Sequence, residues 1–423
     1  MRTFLSSLIA GALVLFGAFF WVRSSYPEPT LIYPEPPRMS MWPIQSIDTM
    51  KYSRDIARER LHDKSFDIVI ERQVKAIAET GATHIALATP YDEEFVPFLK
   101  RWVAAARVHG LNVWFRGNLS GWEGWFGYPK ITREEHIQKT QTFIASHPEL
   151  FADGDIFVSC PECENGGPGD PRQTGDTEAY RAFLIASAKS AADAFQKIGK
   201  KVDTNLASMN GDVARLVMDK ATTKALGGSV TIDHYVRTPE QLVRDAAALA
   251  LKSAGQIVLG EFGAPIPDIH GTMTEDEQVR WIDGALEKLS TEPSVRGINY
   301  WLSVGGSTEL WTADGKPKKA VAALTRYFKP HVAYGFVRDG LGRPIGGAEL
   351  SAGEWSTKTD KHGYFSLRYL PTEQTHLIVR APGYEDVMLA PREARESLLI
   401  TPQPTVKPFY YDTAVFLRGL FIK

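Results

Sequence analysis

From Met39 onward the chain alternates between short apolar runs bounded by turn residues and longer stretches whose apolar residues recur at helical spacing. The short runs predict strands at "MSMWPIQSID", "THIALATP", "NVWFRGN" and "DIFVSCPE", then at "KVDTNLAS", "SVTIDHY", "QIVLGEFG" and "RGINYWLS". The stretches between them, among them "DIVIERQVKAIAETG", "FVPFLKRWVAAARVHG", "TPEQLVRDAAALALKSAG" and "TEDEQVRWIDGALEKLS", predict helices. Several of these open on Thr or Asp followed by an acid, which suits a helix N-terminus. Eight strand–helix units over residues 39–330 predict an α/β fold, a (β/α)8 TIM barrel. The competing arrangement, an open doubly wound sheet, is weakened because no G-x-G-x-x-G follows the first strand.

After Pro330 the period changes. "HVAYGFVRDGLGRPIGGAELSAGEWSTKTDKHGYFSLRYLP" reads as short alternating strands split by Gly, Pro and Asp turns, and it predicts a small antiparallel β-sandwich over 331–402. The tail 403–423, with "PFYYDTAVFLRGLFIK", is apolar and aromatic and is expected to dock onto the domain surface. At the other end Phe4–Val22 is apolar and uncharged, flanked by Arg2 and Arg23, and about as long as a bilayer span requires. Residues 1–25 therefore predict an uncleaved signal-anchor (transmembrane) helix, in preference to a cleaved secretory signal, since no A-x-A follows. Residues 26–38 form a proline-rich linker. This layout places the body outside the cytoplasm, in the periplasm or at the cell surface, held by the N-terminal helix; secretion after cleavage is the alternative.

Composition adds limits. A length of 423 residues favours two domains, and a net charge of −2 with no long run of one sign argues against nucleic acid as a partner. No phosphate-cradling G-x-x-x-x-G-K-[ST] and no G-x-S-x-G elbow are present. No cofactor or metal is expected, and protein partners are left open.

In a barrel of this kind chemistry sits at the C-terminal ends of the strands. Those ends carry Asp48 and Arg54; Tyr91; Arg116, Asn118, Trp122 and Trp125; Glu162 and Glu164; Asn205; His234 and Tyr235; Glu261; and Trp301. Carboxylates interspersed with Trp, Tyr, Asn and Arg suit a sugar-binding cleft, since aromatic faces stack on pyranose rings while polar groups bond hydroxyls. Trp42 and Trp114 are read as core, and Trp301 as cleft.

Glutamates ending strands 4 and 7, a Tyr ending strand 6 and a Trp ending strand 8 resemble glycoside hydrolase clan A. The resemblance implies a glycoside hydrolase, with the strand-4 glutamate as acid/base and Glu261, in "IVLGEFGAP", as nucleophile. It places Tyr235 beside that nucleophile and Trp301 under the sugar, with Asn205, Glu164, Arg116, His234 and Asp48 as further substrate-binding candidates. One departure stands out: the clan commonly has Asn before the acid/base, and this chain has Pro161 before Glu162 and Cys163 before Glu164. Glu162 is preferred because it directly ends the apolar run "DIFVSC"; Glu164 is the alternative. In the C-terminal segment "G-x-P-I-x-G-A", "T-x-T-D-x-x-G-Y-F" and "A-P-G-Y" resemble the carboxypeptidase regulatory-like (transthyretin-like) domain, which implies a packing or binding module without catalysis.

Cys160 and Cys163 are the chain's two cysteines, in C-x-x-C spacing. A thioredoxin-like pair would open a helix, whereas "ENGGPGDPR" breaks one. A structural zinc site would need two more ligands. The cysteines are read as packing under the barrel mouth, with a local disulfide open if the protein is extracytoplasmic. Three function classes remain: a retaining glycoside hydrolase, a barrel that binds polysaccharide without cleaving it, and a lyase or transglycosylase using the same carboxylates.

Overall fold

The computed structural model describes residues 39–372 and 374–421. The signal-anchor and the linker predicted over 1–38 lie outside the described residues, and among the described residues no helix is long and apolar enough to cross a membrane. The chain divides into two compact units, Ser40–Lys329 and the part that begins at Pro330.

The first unit holds eight parallel strands: β1 (Ile44–Asp48), β2 (His84–Leu87), β3 (Asn112–Phe115), β4 (Ile156–Phe157), β5 (Ser208–Asn210), β6 (Ser229–Asp233), β7 (Gln256–Phe262) and β8 (Val295–Tyr300). They lie in the order β4-β3-β2-β1-β8-β7-β6-β5. β4 meets the segment leading into β5 through a parallel bridge, Ile156↔Asp203, so the sheet curls until its edges approach. A helix follows each strand: α1 (Asp67–Glu79), α2 (Val96–Val108), α3 (Arg133–Ser146), α4 (Thr177–Lys197), α5 (Gly211–Val217), α6 (Pro239–Ser253), α7 (Glu275–Thr291) and α8 (Ala320–Phe328). The expected Thr and Asp starts are real caps. Thr274 and Glu277 form a reciprocal capping box on α7, Thr132 and Glu135 do so on α3, and the Asp176 side chain accepts from Ala179 N on α4. Each satisfies backbone N–H groups that the first helical turn leaves without a partner.

Strand 5 departs from expectation. The predicted run over 201–208 contributes only its Asp203 bridge to β4, and the strand proper begins at Ser208, pairing with β6 through Ser208↔Thr231 and Asn210↔Asp233. The run "KVDTNLAS" carries Asp and Asn, which are weak strand formers, and their side chains compete for backbone bonds. Asp203, for example, accepts from Asn205 N.

The strands are apolar on both faces because helices cover one face and the interior fills the other. Ile44, Ala86, Trp114, Ile156, Val158, Leu206 and Val258 form one interior cluster. Trp42 and Trp114 are 3% and 0% exposed, as the core reading requires.

The second unit has two sheets, with strand orders β11-β10-β13-β14 and β12-β9-β15. Here β9 is His331–Val337, β10 Glu349–Ala352, β11 Trp355–Lys358, β12 Tyr364–Tyr369, β13 Leu377–Arg380, β14 Val387–Leu389 and β15 Arg395–Ile400. The sheets share a core that includes Val337, Leu350, Phe365, Leu367, Val379 and Ile400. One pairing is not antiparallel: β15 runs parallel to β9, from Arg395↔Val332 to Ile400↔Val337. The "T-D-x-x-G-Y-F" segment has a physical reason, since Asp360 accepts from His362 N and Tyr364 N and so closes the turn into β12. The tail docks within this unit as α9 (Tyr411–Phe421), where Tyr411 and Ala414 pack on Leu341 and Gly340 N donates to the Tyr411 hydroxyl at 2.9 Å.

Candidate active site

The site is built on a buried polar layer at the ends of β1, β3, β6, β7 and β8. Arg116, just past β3 and 3% exposed, is its centre. Its guanidinium reaches Glu261 Oε1 at 2.8 Å, Asp233 Oδ2 at 3.1 Å and Asp48 Oδ2 at 3.7 Å, and it donates to Gly260 O. Asn299 on β8 ties the layer together, donating to Gly260 O at 2.8 Å and to Asp48 Oδ2 at 3.3 Å. A β-bulge makes the approach possible: β6 pairs Ile232 with Leu259 and then Asp233 with Glu261, skipping Gly260. Any side chain at Gly260 would collide with Asp233 Oδ1 and press on Thr231 and Arg116.

Above this layer Glu261 is held on both oxygens, by Arg116 and by the Tyr235 hydroxyl, which donates to Oε2 at 2.7 Å. Burial raises Glu261 above the ordinary carboxylate range, while the Arg116 charge and the Tyr235 hydrogen bond favour its ionised form. Tyr235 in turn packs edge-on against Trp301, ring centres 5.8 Å apart. Trp301 is partly exposed, and its buried Nε1 has no partner among the described residues.

Glu162 arrives from the loop after β4. Burial, and then the charges of Glu261 and Glu164, push its carboxyl up to about 8. Asn165 Nδ2 donates to its Oε2 at 3.1 Å. Its backbone is left-handed, at φ 45° and ψ 50°, and it sits between Cys160 and Cys163, which are joined as a disulfide. The loop rests on Trp122, whose Nε1 donates to Cys163 O at 3.1 Å and whose ring stacks on Phe183 at 5.1 Å. A side chain at Gly167 would collide with that ring.

Glu164 differs from Glu162 although only two residues away. It is 3% exposed, and it accepts from the Tyr180 hydroxyl at 2.9 Å and from Asn210 N and Nδ2 at 2.7 and 3.0 Å. Its oxygens are committed to holding the β4 and β5 ends together.

The structure thus brings together Glu162, Glu164, Glu261, Arg116, Tyr235 and Trp301. Three residues expected at the substrate are placed otherwise. Asn205 is exposed and abuts Gly227, ahead of β6, because strand 5 starts at Ser208, the last residue of "KVDTNLAS"; the Asn that ends this strand is Asn210. His234 turns its ring away to Asp245 on α6, with Nε2 to Oδ2 at 2.8 Å. Side chains alternate along a strand, so Asp233 and Tyr235 share one face and His234 takes the other. Asp48 is fully buried beneath Arg116, where no substrate reaches it. Trp122 and Tyr91 are likewise buried, the latter donating to Val158 O at 2.9 Å.

Sequence reasoning missed Asp233, Asn210, Asn299 and Glu123. The alternation in "TIDHY" was a usable signal for Asp233. Glu123, on the turn after β3, is pushed up to about 7 by burial, with Glu164 adding to the rise and Arg54 opposing it. Among the described residues no group of His, Cys, Asp and Glu side chains is arranged to hold a metal ion.

Comparison with known proteins gives the second unit a family. Residues 333–397 match the model of the carboxypeptidase regulatory-like domain, so the C-terminal unit carries that module. No curated protein matches the chain. Among solved structures the chain is similar in fold to an FMN-binding β-glucuronidase from Facaelibacterium prausnitzii L2-6, at 12% identity and a TM-score of 0.45, over 82% of this chain and 54% of that one. It is also similar to a β-glucuronidase from Ruminococcus gnavus in complex with D-glucuronic acid, at 14% identity and TM-score 0.43, over 62% and 45%. Two fungal β-1,4-galactanases give 14% identity and TM-score 0.49, over 67% of this chain and 99% of theirs. The chain spans about half the length of the glucuronidases it matches.

Proposed function

We propose that the first unit is a (β/α)8-barrel glycoside hydrolase that cleaves O-glycosidic bonds of a poly- or oligosaccharide with retention. In this reading Glu261 attacks the anomeric carbon, while Glu162 protonates the departing glycosidic oxygen and later activates water. The observation that carries it is the contrast between the two carboxyls. Glu261 is gripped by a cation and a hydroxyl that favour its anion, whereas Glu162 has no cation bonded to it among the described residues and is pushed up to about 8, so it holds its proton at neutral pH. Such a pair divides acid and nucleophile between two residues of the same type. The partly exposed Trp301, edge-on to Tyr235, offers an aromatic floor for the sugar. Glu164 is bound to Tyr180 and Asn210, which leaves Glu162 as the proton donor. The disulfide and the apolar Phe4–Val22 segment support a membrane-anchored position outside the cytoplasm.

The test is a 2-fluoro glycoside with an activated leaving group, screened across sugar configurations, with the labelled residue found by peptide mass. Labelling of Glu261, abolished in folded Glu261→Gln, is expected. Binding of polysaccharide without labelling or turnover would favour the non-catalytic barrel instead.

A further inference from the structure

The loop that carries Glu162 is closed by a bond that catalysis itself does not call for. We propose that the Cys160–Cys163 disulfide is a positioning element for the proton donor, holding Glu162 in its left-handed conformation within the site. The inference rests on the glycoside hydrolase reading given above.

Four residues, Cys160, Pro161, Glu162 and Cys163, form the ring, with the outer Cα atoms 5.4 Å apart. A disulfide stabilises a fold mainly by restricting the unfolded chain, and that gain grows with loop length. A bridge spanning three positions therefore adds little to global stability, and its main effect is on the dihedral angles inside it. One of the two inner residues is a proline, whose φ is already restricted. The other is Glu162, at φ 45°, a region that residues with a side chain avoid unless their surroundings impose it.

Those surroundings are specific. Glu162 N donates to Ser208 O at 2.9 Å, and Asn165 N donates to Glu162 O at 2.9 Å. Asn118 Nδ2 lies 3.8 Å from Cys160 Sγ, and Trp122 Nε1 holds Cys163 O. Both cysteines are buried, at 2% and 1% exposure, which suits a permanent clamp and not a solvent-operated switch. With the bond absent, the ring can relax and Glu162 can return to an ordinary backbone region. Its carboxyl then leaves the burial and the neighbouring charges of Glu261 and Glu164 that keep it protonated.

The experiment compares full-length wild type with Cys160→Ser/Cys163→Ser on two glycosides of the sugar that wild type hydrolyses. One has a dinitrophenyl leaving group, which departs without a proton; the other has an alkyl leaving group, which needs one. The variant is expected to keep its kcat/KM on the dinitrophenyl glycoside, a quantity that reports bond cleavage and not the later hydrolysis step, in which Glu162 acts as base. On the alkyl glycoside it is expected to lose about tenfold or more in kcat, inside the range that acid catalysis supplies, with little change in KM and a basic limb moved to lower pH. Wild type reduced by dithiothreitol, with both thiols titrated, should show the same dependence on leaving group. Equal losses of kcat/KM on both glycosides, or none on either, would overturn the proposal. A wild type inert on all glycosides removes the hydrolase reading, and this inference with it, before any variant is compared.

Discussion

Replacing Arg116 by Met tests the buried layer directly. The cation lies 2.8 Å from Glu261 and 3.7 Å from Asp48, and at an effective dielectric of ~20 each such pair is worth about 4–6 kcal/mol before desolvation is counted. The net cost is capped, because a carboxylate that loses its cation can take up a proton instead. From ordinary values of 4.5 for Glu261 and 3.8 for Asp48, protonation at pH 7 costs at most about 3 and about 4 kcal/mol. Asp233 adds less, since burial already pushes it well toward its neutral form. We expect a total of about 3–5 kcal/mol at pH 7, the range for breaking a buried pair. That corresponds to a fall in Tm of roughly 5–10 °C for a unit of this size. The sign with pH follows from linkage. Glu261 and Asp48 have folded values above their ordinary ones, so they favour the folded state fully only at low pH and cost stability as pH rises. The variant raises both further, so its deficit should grow from about 1–2 kcal/mol at pH 5 to the full value at pH 7. Thermal and urea unfolding of wild type, Arg116→Met and Arg116→Lys at both pH values would measure this, with Lys expected to restore part of the loss. A deficit under about 1 kcal/mol at pH 7, or one of equal size at both pH values, would refute the reasoning.

If Glu162 is the proton donor, kcat should hold at pH 7 and fall as pH rises through about 8; a basic limb centred near 6 would contradict its assignment. Tyr235→Phe removes the 2.7 Å hydrogen bond to Glu261 and should slow turnover about 10- to 100-fold, read by steady-state kinetics with Tm nearly unchanged. Glu164→Gln should lower stability by about 1–3 kcal/mol through Tyr180 and Asn210 while keeping turnover within about tenfold. Glu162→Gln should reverse that balance, losing at least 100-fold on glycosides with poor leaving groups.

How much was legible in the sequence depended on how each residue is held. β6 carries Val230 and Ile232 at alternate positions and β7 the apolar run Ile257–Leu259, so their ends, and with them Tyr235 and Glu261, could be placed by pattern alone. β5 could not, because its hydrogen-bonded part is three residues long and the polar run before it looked like the strand. That single slip moved the expected Asn from position 210 to 205. His234 and Asp48 were found but misassigned, because which face a side chain takes, and how deep it lies, depend on strand alternation and on Arg116 arriving from β3. The contrast between Glu162 and Glu164 was beyond any sequence pattern: it arises from a left-handed turn and from Tyr180 on α4. The parallel pairing of β15 with β9 was hidden for a similar reason, since alternation marks a strand without giving its direction.

The join between β4 and the approach to β5 has a consequence for how the molecule breathes. Seven of the eight strand pairs in the ring share a ladder, two of them with bulges, whereas this one is sewn by a few bonds, Phe157 N to Asp203 O and Asp203 N to Asp155 O among them, each at 2.9 Å. A seam with so few bonds is expected to open before the laddered strands, so its amides should exchange with solvent deuterium ahead of theirs. The last stitch of the seam is Glu162 N to Ser208 O. Parting the ring there also unfastens the backbone of Glu162, so the seam and the proposed proton donor share one bond.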